Sequence, residues 1–495
     1  MRTSNTRKDA GRGMLFNSVE FLIFFPITVI IFFLLPHRFR RYFLLAASCY
    51  FYMSLIPKYI LILLFTTCVD YFGALGCEKA RESGSKRLSR GIFITAVSLN
   101  VALLVVFKYL GMFEDTVNFF GRLFDMRTLV LPEMVLPIGI SFHTFQSMGY
   151  LIDVYMGREK AERSFIDFSL FLMFFPQLVA GPIERSSNLF SQLKAESYIK
   201  YDNLSYGGRM MLWGMFKKVV VADNLALFAD AVFSDPRAYS GGGLIIGILC
   251  FTVQIYCDFS GYSDIAIGAA RIMDIRLMQN FDTPYFSRSV PEFWRRWHIS
   301  LSTWFRDYVY IPLGGNRVSK PRWCLNQLVT FGISGIWHGA SFTFVVWGLL
   351  NGVYIVLSRL TKDIRDRVKS LLRIDRIGWL NAGLQIAVTF CLISVTWVFF
   401  RAESFSDCFY VLGNLFAGTK CEFTHIEIFR AYIAIGAPVI LFGTELLTKL
   451  PAVTGWYTGG TRAAQVVRLV SYALLLFIIV VFGAYDNKSF IYFQF

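Results

Sequence analysis

Between Arg322 and Arg359 the sequence reads WCLNQLVTFGISGIWHGASFTFVVWGLLNGVYIVLS (323–358), 36 residues without an Asp, Glu, Lys or Arg. About 20 apolar residues suffice to cross the hydrocarbon core of a bilayer, so 326–357 reads as a membrane span. Its middle carries His338 among the small residues Gly335, Gly339, Ala340 and Ser341. Small side chains let a ligand or a second helix approach the backbone closely. A histidine at membrane depth is costly and points to function. One stretch therefore sets both the fold class and the first candidate for chemistry.

The rest of the chain repeats the pattern. Of 495 residues, 55% are hydrophobic and 17% charged, and the mean hydropathy is +0.51. Soluble domains carry about 25% charged residues, which excludes a water-soluble enzyme. The 51 Phe, 24 Tyr and 10 Trp exclude a disordered chain. The expected fold class is all-α, a polytopic helical membrane bundle of about eleven spans. These lie near 18–36, 41–56, 58–76, 92–112, 134–152, 209–231, 243–271, 326–357, 381–400, 430–449 and 467–484. The segment 168–183, FSLFLMFFPQLVAGPI, is too broken by Pro and Gly to cross and reads as re-entrant or as a broken helix lining a cavity.

Net charge is +15, from 49 Lys/Arg against 34 Asp/Glu. The basic residues cluster between apolar runs, as in cytoplasmic loops, so nucleic acid is not an expected partner. Residues 77–91 hold five Lys/Arg against two Glu, and 359–376 hold seven against three Asp. Both read as cytoplasmic, the second as a helix on the membrane surface, and HRFRR at 37–41 falls on the same side. Residues 1–13, with Arg2, Arg7, Lys8 and Arg12, conflict with that orientation. The conflict disappears if translation starts at Met14, so 1–13 reads as a basic extension and 14–495 as one membrane domain with a motif-dense core at 168–357. Nine cysteines form no C-x-x-C pair, and five scattered histidines make no zinc pattern; no metal site is expected.

Five histidines narrow the search. His37 and His425 lie in polar segments and read as surface residues. His143, in PIGISFHTFQSMGY (137–150), is intramembrane, but Ser141, Thr144 and Gln146 beside it allow a purely hydrogen-bonded role. His338 is either a satisfied core residue or a general base, since neutral imidazole takes a proton from a hydroxyl. His298 stands in FWRRWHISLSTWFRDYVYIPLGGNR (293–317). There Arg295, Arg296 and Arg306 either hold phosphates in forked geometry or form an interfacial Trp/Arg belt. Asp258, Asp264 and Asp274, in CDFSGYSDIAIGAARIMDI (257–275), argue for a water-filled cavity or for pairing with nearby arginines. GGGLIIG (241–247) follows no strand and is not a nucleotide loop.

Four segments in order, FPQLVAGPIER (175–185), QNFDTPYFSRSVPEFWRRWHISLSTWFRDYVYIPLGGNR (279–317), SGIWHGASFTFVVWG (334–348) and WVFFRAESF (397–405), resemble the alginate-acetylase branch of the membrane-bound O-acyltransferases. MLFNSVEFLIFFP (14–26) resembles that branch's N-terminus. The resemblance implies a helical bundle with a central tunnel in a bacterial cytoplasmic membrane, the acyl donor entering from the cytosol and the acceptor from outside. It implies His338 as catalytic base and His298 as an orienting or charge-stabilising partner. Trp337, Gly339, Trp297 and Asn316 are the motif residues around them. It also implies acetyl-CoA or an acyl-carrier thioester as donor, no permanently bound cofactor, an extracytoplasmic polysaccharide as acceptor, and a secreted, esterase-like (SGNH-type) transferase as partner. The D-alanine-transferring branch shares W-H-I-S but typically lacks PLGGNR (312–317), which favours acetyl transfer. A transporter or lipid flippase is the competing class; the two histidine motifs and the lack of an internal repeat weigh against it.

Overall fold

Apolar runs separated by short turns fold into helices because in hydrocarbon every backbone N–H and C=O must be satisfied within the segment. The computed structural model describes residues 13–124, 126, 128–132, 137–179, 181–418, 420, 421, 423, 426–485, 490 and 491. The basic extension before Gly13 and His425 lie outside the described residues. Among these residues there is no β-strand, only an isolated bridge between Ser240 and Lys420.

The helices are α1 (Val19–Leu34), α2 (His37–Met53), α3 (Ile60–Glu82), α4 (Lys86–Leu104), α5 (Leu110–Leu123), α6 (Ile140–Tyr155), α7 (Phe165–Met173), α8 (Phe175–Leu178), α9 (Ser186–Lys194), α10 (Tyr201–Met215) and α11 (Asp223–Ser234). They continue with α12 (Gly242–Ile272), α13 (Val290–Arg296), α14 (Ile299–Phe305), α15 (Lys320–His338), α16 (Phe342–Leu360), α17 (Lys362–Leu371), α18 (Gly378–Arg401), α19 (Phe405–Gly413), α20 (Ile428–Thr448), α21 (Pro451–Thr458) and α22 (Arg462–Phe482). Wider π turns occupy Val105–Tyr109, Phe216–Ala222 and Arg306–Tyr310.

Seven helices among the described residues are long and apolar enough to cross a bilayer: Pro57–Glu82, Lys86–Arg122, Gly242–Ile272, Phe342–Leu360, Gly378–Arg401, Ile428–Thr448 and Arg462–Phe482. They account for six of the eleven expected runs and for the second half of a seventh, 326–357. Of the other four, 18–36 and 134–152 carry helices of only 16 residues. The run 41–56 belongs to a helix that starts in the basic His37–Arg41 turn. The run 209–231 is interrupted by the π turn that holds Lys217 and Lys218. The stretch 326–357 is corrected: α15 ends at His338 and α16 starts at Phe342, so a hairpin replaces one continuous span. Its helices close tightly, because a Cβ at Gly335 would meet the Phe344 carbonyl and one at Gly348 the Phe331 carbonyl, the small-residue contact of membrane helices.

α12 forms the axis. Its middle is almost wholly buried, and α10, α11 and the π turn 216–222 pack along it. α22 is the opposite case, with Val466, Leu469, Leu474 and Val480 exposed as on a lipid-facing helix. α7 and α8, which carry the first part of 168–183, are short, largely buried and broken at Phe174. Side chains satisfy the irregular backbone there. Ser48 Oγ accepts from Phe175 N–H at 3.0 Å, and the Gln146 amide donates to the Phe171 carbonyl at 2.8 Å. α17 has no buried residue, in keeping with a surface helix.

Candidate active site

His298 has φ 44° and ψ 55°, the left-handed region, immediately before α14. A non-glycine residue there costs on the order of 1–3 kcal/mol and is held by its surroundings. Two backbone bonds do the holding, Asp282 N–H to the Arg296 carbonyl and Ile299 N–H to the Asn280 carbonyl, both 2.9 Å. They bracket the turn against the loop that carries Asn280. The side chain of Asn280 then sets the imidazole. Its Oδ1 accepts from Ser300 N–H at 3.3 Å and from the Ser300 hydroxyl at 2.9 Å, while its amide donates to Ser263 Oγ at 3.2 Å. An oxygen with those donors meets His298 Nδ1, 3.0 Å away, only as an acceptor. Nδ1 therefore carries the proton and Nε2 the lone pair. Nε2 is buried and has no hydrogen-bond partner among the described residues.

His338 is the last residue of α15 and is also buried. Its ring is enclosed edge-on by Trp337 and Trp347, each at 4.8 Å between centroids, and by Phe400 at 5.4 Å. The Trp337 indole also borders His298 at 6.4 Å, so one indole contacts both imidazoles. Gly339 turns the chain into α16, and a Cβ there would overlap the Phe344 ring. Below the turn, Lys108 Nζ donates to the carbonyls of Trp337 at 2.5 Å and His338 at 3.0 Å. Helix-terminal carbonyls have no intrahelical partner, and a cation is the favoured cap at that end. Lys108 thus fixes the backbone from which His338 projects.

A cavity of about 420 Å³ lies beside both histidine-bearing elements. Ile299 and Leu301 of α14 and Thr330 and Ser334 of α15 line it, and Arg295 and Arg306 stand at its rim with exposed side chains. Ser334 is one turn, about 6 Å, before His338 on α15. Trp294, also in the wall, packs against Trp347 at 5.7 Å. The walls are mostly apolar and the cations sit at the mouth, an arrangement that fits a chain-like ligand with a charged head.

The expected residues divide as follows. His298, His338, Trp337 and Gly339 come together. Trp297 is buried beside them, between Phe281 at 5.1 Å, Phe293 at 5.3 Å and Trp397 at 5.1 Å. Arg295 and Arg306 share the cavity, Arg306 paired at its rim with Asp307 at 2.7 Å, whereas Arg296 turns to Glu292 at 2.6 Å and does not line it. Asn316 is exposed on the turn after α14; it is Asn326 that ties this turn, by bonds to the carbonyls of Leu313 (3.1 Å) and Gly315 (3.2 Å). His143 is bonded through both ring nitrogens, to Thr66 at 3.3 Å and Thr67 at 3.4 Å, which gives it a structural role.

The aspartates of α12 are a second correction. Among the described residues they pair with lysines and not with arginines. Asp264 pairs with Lys217 at 2.9 Å, Asp258 with Lys218 at 2.7 Å, and Lys218 also with Asp223 at 2.9 Å. The π turn of the neighbouring run points both lysines at α12, and at that depth a cation on the adjacent helix is the nearest compensation. Asp274, beyond the end of α12, binds Lys200 at 2.7 Å. Asp258 Oδ2 further accepts Ile491 N–H at 2.7 Å, and Phe490 packs on Phe259, whose ring meets His298 at 4.6 Å. The sequence reading missed Lys108, Lys217, Lys218 and Asn280. For the lysines the signal was present, since each is a charge inside an apolar run.

Residues 157–401 match the membrane-bound O-acyltransferase family. The chain is 38% identical over 408 residues to a probable alginate O-acetylase of Pseudomonas putida, covering 82% of this chain and 80% of that protein. It is 34% identical over 450 residues to a peptidoglycan O-acetyltransferase of Helicobacter pylori, covering 84% and 82%. A teichoic acid D-alanyltransferase of Streptococcus thermophilus is 30% identical over 290 residues, covering 53% of this chain and 68% of that protein.

Proposed function

Since the chain belongs to the membrane-bound O-acyltransferase family, we propose that it moves an acetyl group from a cytosolic thioester, acetyl-CoA, toward hydroxyls of an extracytoplasmic polysaccharide. The multi-pass membrane architecture and the acyltransferase class follow from family membership and from the seven apolar helices. Acetyl is favoured over D-alanyl because the acetylase relatives match four-fifths of the chain and the D-alanyltransferase about half.

The observation that carries the reading is the pair of buried imidazoles on one indole, next to an apolar cavity rimmed by Arg295 and Arg306. In this proposal the arginines take the phosphates of the donor at the mouth, by forked contacts, and the thioester arm follows the apolar wall toward His338. The reacting acceptor hydroxyl donates to His338, while the lone pair on His298 Nε2 accepts from a second donor of the bound substrate, such as a neighbouring hydroxyl, and so orients it. His338 removes the hydroxyl proton as the oxygen attacks the thioester carbonyl. The new C–O bond forms, the tetrahedral adduct collapses with loss of the C–S bond, and the proton passes from His338 to the departing thiolate. With Nδ1–H committed to Asn280, neutral His298 has no proton to donate to the oxyanion. Its role is therefore orientation, and charge stabilisation falls to other donors. The enclosure by Trp337, Trp347 and Phe400 keeps out water, the competing nucleophile. We assign the final delivery to the polymer to a separate secreted, esterase-like transferase.

The test is transfer of label from radiolabelled acetyl-CoA by purified protein in proteoliposomes, wild type against His338→Ala. Removing a general base costs roughly 10²–10⁴ in rate; undiminished transfer by the variant overturns the assignment. A carrier-protein thioester that outcompetes acetyl-CoA would replace CoA as the donor.

A further inference from the structure

A second cavity, of about 260 Å³, shares no lining residue with the one beside His298 and His338. It lies where the chain passes from α1 into α2 and meets the end of α9. Arg38, Arg40 and Arg41, with His37, form one wall, and Lys194 with the backbone of 195–197 forms the other. No reading of the acyltransfer site uses any of them.

Positive charge here exceeds its compensation. Arg41 pairs with Asp167 at 3.2 Å, and Lys194 with Glu162. Arg40 donates to the carbonyls of Ser197 (2.6 Å), Leu35 (2.9 Å) and Phe33 (3.3 Å) and pairs with no carboxylate among the described residues. Arg38 is exposed, lies over the Phe39 ring at 4.8 Å, and pairs with no carboxylate among the described residues. Glu196, next to the wall residue Ala195 in the chain, accepts from the Tyr198 hydroxyl. Two buried polar atoms of the wall, His37 Nδ1 and Arg41 Nε, have no hydrogen-bond partner among the described residues. A cavity with two uncompensated guanidinium groups and unused polar atoms is built for an anion.

Its size and edges narrow the ligand. Clefts for drug-sized molecules span roughly 300–1,000 Å³, so this one takes a phosphate with a small substituent and not a whole nucleotide thioester. Phe32 and Leu44 form its apolar floor, and Arg40 rests on Phe32 at 5.2 Å. The exposed face of α1 leads away from it through Ile30, Ile27 and Ile23, each more than half exposed. An anionic head in the cavity would have its acyl chains laid along that stripe. Basic pockets between membrane helices on the cytoplasmic side are the expected sites for anionic headgroups.

We propose that this cavity binds the phosphate of an anionic phospholipid, seated by Arg38, Arg40 and Arg41. The site would tether the α1–α2 corner and the α9 segment to one leaflet and stabilise the bundle in an anionic membrane.

The experiment is native mass spectrometry and thermal unfolding of the full chain with phosphatidylglycerol, phosphatidylcholine or inorganic phosphate. Wild type should retain phosphatidylglycerol selectively and melt higher with it. Arg38→Gln should weaken retention about five-fold and Arg38→Glu about 25-fold, from the typical worth of one basic residue near an anionic surface. Arg38 is exposed and pairs with no acid, so these variants fold. Arg365→Gln, on the exposed helix α17, should change nothing. Equal retention of both lipids, no loss in the Arg38 variants, or an equal loss in Arg365→Gln overturns the proposal. A shift with inorganic phosphate that depends on Arg38, without preference between the lipids, overturns the lipid as ligand and leaves a free-phosphate site.

Discussion

The sharpest consequence of the site geometry concerns Asn280, which touches no substrate in the proposed reaction and acts only through His298. Asn280→Ala removes the oxygen that receives His298 Nδ1–H at 3.0 Å and the Ser300 hydroxyl at 2.9 Å. Without it either ring nitrogen can hold the proton, and the ring loses its fixed rotation, so the lone pair at Nε2 is present only part of the time. One hydrogen bond of this kind is worth about 1–1.5 kcal/mol net, which corresponds to roughly ten-fold in rate. Stranding buried donors adds about 1–3 kcal/mol each to the folding cost, so melting in detergent must be followed beside activity. In the label-transfer assay, Asn280→Ala should lower kcat about ten-fold while the KM for acetyl-CoA stays near wild type, because the donor cavity is untouched. His298→Ala should fall further, and the double variant no further than His298→Ala alone. Additive losses would show that Asn280 acts apart from His298. An unchanged kcat in Asn280→Ala would show that the tautomer does not matter. Either result refutes the reasoning.

Three further outcomes follow from the same geometry. Lys108→Met leaves the carbonyls of Trp337 and His338 without their cap, at about 1–3 kcal/mol each; transfer should drop ten-fold or more without loss of donor binding, and a wild-type rate would refute the positioning role. Lys218→Met removes the buried counter-charge of Asp223 and Asp258, and breaking a buried pair costs about 3–5 kcal/mol. The folded yield and melting temperature should collapse and recover when Asp223→Asn and Asp258→Asn are added. For Asp274, partial burial alone would raise the carboxyl, but Lys200, the Tyr198 N–H and Asn203 outweigh it and hold the group below its ordinary value. A depressed folded pKa gives stability that is present above about pH 4 and is lost as pH falls through the folded value. Asp274→Asn should therefore melt lower at pH 7 and show a flatter acid limb; an acid limb identical to wild type would refute this.

What could be read in advance follows from where the information lies. Apolar runs are a local property, so α3, α12, α18, α20 and α22 were legible from composition, and the WHIS and WHGAS contexts singled out His298 and His338. The break at Gly339 was not legible. It depends on Phe344 folding back over the glycine, a contact between residues on two helices, and the run 323–358 is apolar on both sides of it. Asn280 lies in a loop with no periodicity to mark it and is recognised only when its oxygen is found beside Nδ1. Arg296 and Arg295 are adjacent in sequence and chemically identical, yet one faces the cavity and the other faces Glu292. Only the helical phase of α13 separates them.

The lysines have a common explanation in the π turns. Lys108 lies in Val105–Tyr109, Lys217 and Lys218 in Phe216–Ala222, and Arg306 in Arg306–Tyr310. A π turn takes one extra residue into a helix, which shifts the phase of everything after it by about 100°. A cation can then point inward at a chosen depth while the apolar faces before and after keep their neighbours. In a regular helix the same inward cation would displace an apolar residue from the packed face. On the sequence such a residue reads as an interruption of an apolar run and is discounted; in the fold it is the feature the run is bent to deliver. Each of the three serves a different need: a cap beneath His338, a counter-charge for the aspartates of α12, and a guanidinium at the cavity mouth. A lone Lys or Arg well inside an apolar run of this chain is therefore better read as a placed group than as a flaw in the span.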